Sequence, residues 1–147
     1  MGKKSTAKYK AAKQNVNDLT AALGSLVSTK ASLEQVYSEV RALSKGPNNP
    51  NTGVMLAAKV VEMDRLETSL KRQLSLVSNT CGNARTTLLD YGEFLGQKTE
   101  KYKNVTDAMK KKSLEDHQKK YVKLAPKLYN LVAKLQPIVA YAGTLPG

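Results

Sequence analysis

The chain has 147 residues, with 24 Lys and Arg against 12 Asp and Glu, for a formal charge of +12. That length suits one domain able to bury most of the surface its unfolded form exposes. One Cys excludes a disulfide framework, one His leaves no His-based metal site or triad, and no apolar run is long enough to span a membrane.

Leu, Ile, Val and Phe make up 33 residues, almost all of them Leu and Val, with no Trp. This set favours helices over strands. The expected fold class is all-α: an elongated antiparallel three-helix bundle of coiled-coil-like hairpins with a long central helix.

The first twelve residues, rich in Lys, read as a basic, flexible N-terminal arm. A helix is expected from about 13 to 45. Leu19, Leu26, Leu33 and Val40 recur every seven residues, and Val16, Leu23, Val36, Tyr37 and Leu43 widen the stripe. Gly46-Pro47-Asn48-Asn49-Pro50-Asn51-Thr52-Gly53 cannot continue a helix and supplies a turn over 46–53.

The second helix is expected over about 54–112. Leu56, Val60, Met63, Leu70, Leu74, Val77, Cys81, Ala84, Leu88, Tyr91, Leu95, Tyr102, Val105 and Met109 fall on one 3–4 ladder, interrupted only by Glu67 and Lys98. Such an unbroken phase predicts a rod of roughly 80 Å. Gly82, Gly92 and Gly96 weaken it, and Ser78–Asn83 is where it would break.

The ladder changes phase after Met109 to Leu114, His117, Tyr121, Leu124, Leu128, Leu131, Leu135 and Ile138. Ser113 and Asp116 resemble a capping box, which places the third helix at about 113–142. Pro126 and Pro137 interrupt it on the expected solvent side, and residues 144–147 form a tail. The single helical domain is thus 13–143, with its flanking helices overlapping only in part along the central one.

The charge is uneven along the chain. Residues 1–53 carry net +5, residues 54–97 net zero and residues 98–127 net +6. Two clusters of Lys result: Lys3, Lys4, Lys8, Lys10 and Lys13 in the arm, and Lys98, Lys101, Lys103, Lys110, Lys111, Lys112, Lys119, Lys120, Lys123 and Lys127 around the last junction. Clustered ammonium groups whose charge is not cancelled by interleaved acids point to an acidic polymer. With 20 Lys to 4 Arg, the forked guanidinium that reads base edges is scarce, so nucleic-acid contact would be independent of sequence. Tyr9, Tyr102 and Tyr121 sit among these lysines; Tyr9 alone lies off the ladders and is free to stack on bases.

Met1-Gly2-Lys3-Lys4-Ser5-Thr6 satisfies the loose myristoylation pattern, and a polybasic arm is the usual second membrane signal. Cys81 reads as a buried thiol, His117 as a packing residue, and Glu67 and Lys98 as polar positions that fix register. No phosphate-cradling loop, nucleophile elbow or zinc-protease motif is present, so neither an enzyme nor a cofactor or small-molecule substrate is expected.

The functional expectation is a non-enzymatic structural or assembly protein of the virion-component, scaffold or nucleoid type. It would self-associate, or bind a helical partner, through ladder residues Leu70, Leu74, Val77, Leu88, Tyr91, Leu95, Tyr121 and Leu128, and meet nucleic acid with its lysines. One alternative is a peripheral membrane adaptor that meets an anionic surface with its basic, myristoylated arm; the other is a plain coiled-coil interaction module. An intracellular or virion-associated location is expected, without a signal peptide or a spanning helix.

Overall fold

A computed structural model describes residues 2–146. Three helices account for nearly all of them: α1 over Gly2–Lys45, α2 over Pro50–Lys101 and α3 over Ala108–Gly143. There is no strand among the described residues, and the bundle is all-α as expected.

Side-chain pairs fix the topology. Lys8 meets Asp90, Asn15 meets Thr87, Tyr37 meets Glu67 and Glu39 meets Lys59, so α1 and α2 run antiparallel. Tyr91 meets His117, and Gln118 meets Thr99, so α3 reverses again and lies parallel to α1. At 52 residues α2 is about 78 Å long and is the longest of the three.

The ladders become the core of this single chain. Leu70, Val77, Leu88, Tyr91, Leu95 and Leu128 are buried, and Leu74 and Tyr121 are partly buried against them. From α1 come Val16, Leu19, Leu23, Leu26, Leu33 and Val36; from α3 come Leu114, His117, Leu124, Leu135 and Ile138. The seam read as a self-association surface is therefore occupied within the chain. Cys81 is buried in it, as its ladder position implies.

Three boundaries and one overlap differ from the sequence reading. The basic arm is not separate, since α1 begins at Gly2. Ser5 and Ala12 are fully buried and Tyr9 packs beside them, which continues the α1 stripe with side chains too small or too polar to register as a ladder. Lys and Ala are also good helix formers, so nothing opposes the extension.

The second difference is at the last junction. α2 stops at Lys101 and α3 starts at Ala108, where the Asp107 side chain caps the helix by accepting from the N–H groups of Met109 (3.0 Å) and Lys110 (3.3 Å). Ser113 lies inside α3 and is not its cap. The ladder misled because Tyr102 and Val105, partly buried at the end of the bundle, keep its phase across a turn, whereas Met109 is exposed.

Third, α2 starts at Pro50, inside the expected turn. The Asn49 side chain caps it by accepting from the Thr52 N–H at 2.9 Å, and Pro50 occupies the position where a missing N–H costs nothing. Fourth, α1 and α3 overlap along almost all of α3, whose Tyr141 reaches Lys30 and whose tail reaches Tyr37 and Arg41. The reason is the earlier starts of both helices.

α2 does not break at Ser78–Asn83. Val77, Cys81 and Ala84 are buried on this stretch, and the Thr80 and Thr86 hydroxyls donate to carbonyls one turn back instead of disturbing the ladder. Pro126 and Pro137 are exposed, and α3 continues through both.

Candidate functional site at the basic end

The antiparallel order brings three chain segments to one end of the rod: the start of α1, the end of α2 and the start of α3. Both lysine clusters therefore share that end. Residues 2–13 and 90–127 hold fifteen Lys against six Asp and Glu, a net charge of +9. The remaining described residues, although they form most of the rod, carry only +3.

An aromatic cluster ties the three segments together. The Tyr91 ring is fully buried and stands 5.9 Å from Tyr9 of α1, and 5.9 Å and 6.0 Å from His117 and Tyr121 of α3. The tilted and edge-on ring contacts are the favoured geometries for such pairs. The Tyr91 hydroxyl lies 2.7 Å from His117 Nδ1 and donates to the His117 carbonyl at 3.1 Å. Burial first, and then Tyr9, push the Tyr91 hydroxyl up to about 12. Burial, followed by the charge of Lys120, lowers the pKa of His117, with Asp116 opposing.

Gly92 makes room for this packing. A Cβ there would come within 2.8 Å of the Tyr121 ring, so that ring can lie against α2 at this point only because position 92 has no side chain.

Around the cluster, five lysines lie over three rings. Lys8 and Lys98 flank Phe94 at 5.4 and 5.3 Å; Lys13 and Lys120 flank Tyr9 at 5.8 and 4.8 Å; Lys98 and Lys110 approach Tyr102 at 5.7 and 6.0 Å. Ammonium groups are attracted to ring faces, so these five are held in place while the charge stays at the surface. Lys98 shows how a charge occupies a ladder position: its stem is half-buried and its head reaches two rings. Lys8 is the one member of the set with an acid partner, Asp90 at 2.7 Å.

The other lysines, Lys3, Lys4, Lys10, Lys101, Lys103, Lys111, Lys112, Lys119, Lys123 and Lys127, are exposed. Lys3 and Lys10 border a groove of about 470 Å³ with Thr6, Ser113 and His117, between α1 and α3. The amino ends of two helices also point to this end: the dipole of α1, with no acid in its first turn, adds to the positive field, whereas the Asp107 carboxylate that caps α3 offsets the other.

All fifteen lysines singled out in the sequence thus lie at one end, from three segments. What the sequence hid is the second part played by Phe94, which packs partly buried against the core and also carries two ammonium groups on its ring. Tyr9 is not free for stacking on bases, because it is half-buried between Tyr91 and two lysines. A fifth tyrosine lies towards the opposite end of the bundle: Tyr37 donates to the buried carboxylate of Glu67, giving that ladder interruption its partner. Burial and then Glu67 raise the Tyr37 pKa, and so help keep it a donor.

Among the described residues no helix is long and apolar enough to cross a membrane. Comparison with protein-family models, with curated proteins and with solved structures finds no match.

Proposed function

We propose that the chain is a non-enzymatic structural or assembly protein. Its basic end contacts an acidic polymer, and nucleic acid bound without sequence specificity is the best-supported partner. The observation that carries this reading is the meeting of lysines from α1, α2 and α3 at one end, with net charge +9 and five of them held over rings. Fifteen ammonium groups with six acids near them form a field that releases counterions from phosphates, and Lys in place of Arg removes the usual fork for base recognition.

The test is fluorescence anisotropy of labelled single strands and duplexes against salt. Binding at ~50 mM salt that is indifferent to sequence and falls steeply by ~200 mM supports the reading. No binding at ~50 mM overturns it. Flotation with anionic vesicles in the absence of any strand binding replaces it with the membrane-adaptor reading.

A further inference from the structure

The end of the rod opposite the lysines has only two helices. α3 and its tail stop beside Tyr37 and Arg41, while α1 runs on to Lys45 and α2 comes back from Pro50. Over residues 38–66 the α1–α2 hairpin therefore has no third helix. Its apolar side chains are correspondingly uncovered: Val54 is 72% exposed, Val61 70%, Met55 54% and Val60 42%. Four of the eleven exposed large apolar side chains fall within this one stretch of eight residues, and the others are scattered along the rod. Val40, Leu43, Leu56 and Met63 behind them are only half-buried.

We infer that this tip is the docking surface for the tip of a second copy of the same chain. Two features select that occupant. The first is charge: residues 38–66 carry four basic and three acidic groups, and Lys59 is already neutralised by Glu39 at 2.6 Å and Glu62 at 3.5 Å. Two chains of charge +12 repel each other through their basic ends and can approach through the end that is nearly neutral. The second is architecture: an antiparallel helix pair with apolar faces is half of a four-helix bundle, and a two-fold axis completes it from one self-complementary surface.

The contact is small. A hairpin of a few turns offers less than the roughly 800 Å² per partner of a standard interface, so the dimer belongs to the weak, concentration-dependent class. Its consequence is a further activity. A tip-to-tip dimer has a basic head at each end, about 130 Å apart, and bridges two segments of polyanion. Each head raises the local concentration of the other's target. The bridging part rests on the proposed function, whereas the dimer stands independently of it.

Sedimentation of the full chain without polyanion, from ~5 to ~200 µM, tests the tip alone. The mass should rise from 16.0 kDa towards twice that value with concentration. The double variant Val60→Glu with Val61→Glu, at positions exposed in the monomer, should stay at 16.0 kDa with unchanged helicity and bind a short single strand as the parent does. In a bead assay with two differently labelled duplexes, the parent should co-capture both and the variant should lose most of the co-capture. A parent that stays monomeric throughout, or a variant that dimerises as the parent does, overturns the tip contact. Dimers that bind no strand overturn the bridging together with the function it rests on, and strand-binding dimers that co-capture nothing overturn the bridging alone.

Discussion

The two ends of this rod are built from the same kind of helix yet differ in what closes them. At the basic end three helices converge on Tyr91, whose ring is fully buried and whose hydroxyl is bonded to α3. At the hairpin tip two helices face each other, and half their apolar side chains meet solvent. Burial on α1 records the change along one stripe: Leu26 and Leu33 are fully buried, whereas Val40 and Leu43 are only half-buried. The repeat is the same along the whole helix; what differs is the presence of α3. Charge rises in the same direction as packing, so the well-packed end is the one that bears most of the electrostatic repulsion. Ring contacts and the absence of a Cβ at Gly92 let the chain close there in spite of it.

Equal truncations at the two regions should expose this difference most strongly. Leu95→Ala removes a side chain only 4% exposed, packed between helices at the basic end, and should cost about 3–5 kcal/mol. Leu43→Ala at the tip, where the side chain is half in water, should cost under about 1 kcal/mol. Denaturant unfolding of both variants measures the pair, and equal losses would mean that the tip is covered in the monomer.

Charge reversal sharpens the comparison next. Lys98→Glu, Lys110→Glu and Lys120→Glu together should lower single-strand affinity about 100-fold at ~50 mM salt, because each site is worth roughly one phosphate contact and each reversal adds a repulsion. Reversing Arg41, Lys45 and Arg65 at the tip should change it less than about threefold. Anisotropy titrations of both triple variants decide it, and equal losses would show that no one end carries the binding.

Of intermediate size is the pH response of the basic end. His117 is neutral more readily in the fold than in the unfolded chain, whose pKa is near 6.5. Its contribution is therefore complete above that pH and is lost as pH falls below it. Melting temperature should drop between pH 7.5 and 5.5, and His117→Gln should flatten that drop. Thermal melts across the range check it, and an unchanged slope in the variant would assign the effect to another group.

The smallest effects come from glycines on α2. Gly82→Ala meets open space and should stabilise by about 0.5–1 kcal/mol through helix propensity. Gly92→Ala should destabilise, since the new Cβ displaces Tyr121 from the ring cluster. The opposite signs, read from chemical unfolding, test whether close packing at the basic end is specific to position 92.

Much of this fold was legible in the sequence because burial in a helical bundle leaves a 3–4 rhythm. Leu70, Val77, Leu88 and Leu95 announce a buried face by spacing alone, and Pro47 and Pro50 announce the turn. The same rhythm failed where spacing carries no information about the backbone. Tyr102 and Val105 continue the phase of α2 through a turn, so only the Asp107 cap marks the true start of α3. The first turns of α1 were missed for the converse reason, since Ser5 and Ala12 are buried without being large apolar residues. Spacing also cannot tell a face buried within one chain from a face buried between two. The lysines were visible as two clusters, but their union depends on the reversal of α2 between α1 and α3, and the contacts of Lys8 with Phe94, Lys110 with Tyr102 and Lys120 with Tyr9 depend on packing between segments.

The claim that organises the rest is that one end of the rod meets the polyanion and the other does not. Backbone hydrogen exchange of the full chain with and without a saturating single strand, at low salt, tests it most directly. Exchange should slow at the first turns of α1, the last turns of α2 and the first turns of α3, with the hairpin over 38–66 unchanged. Slowing at the hairpin tip without slowing at those lysine-bearing turns would contradict it.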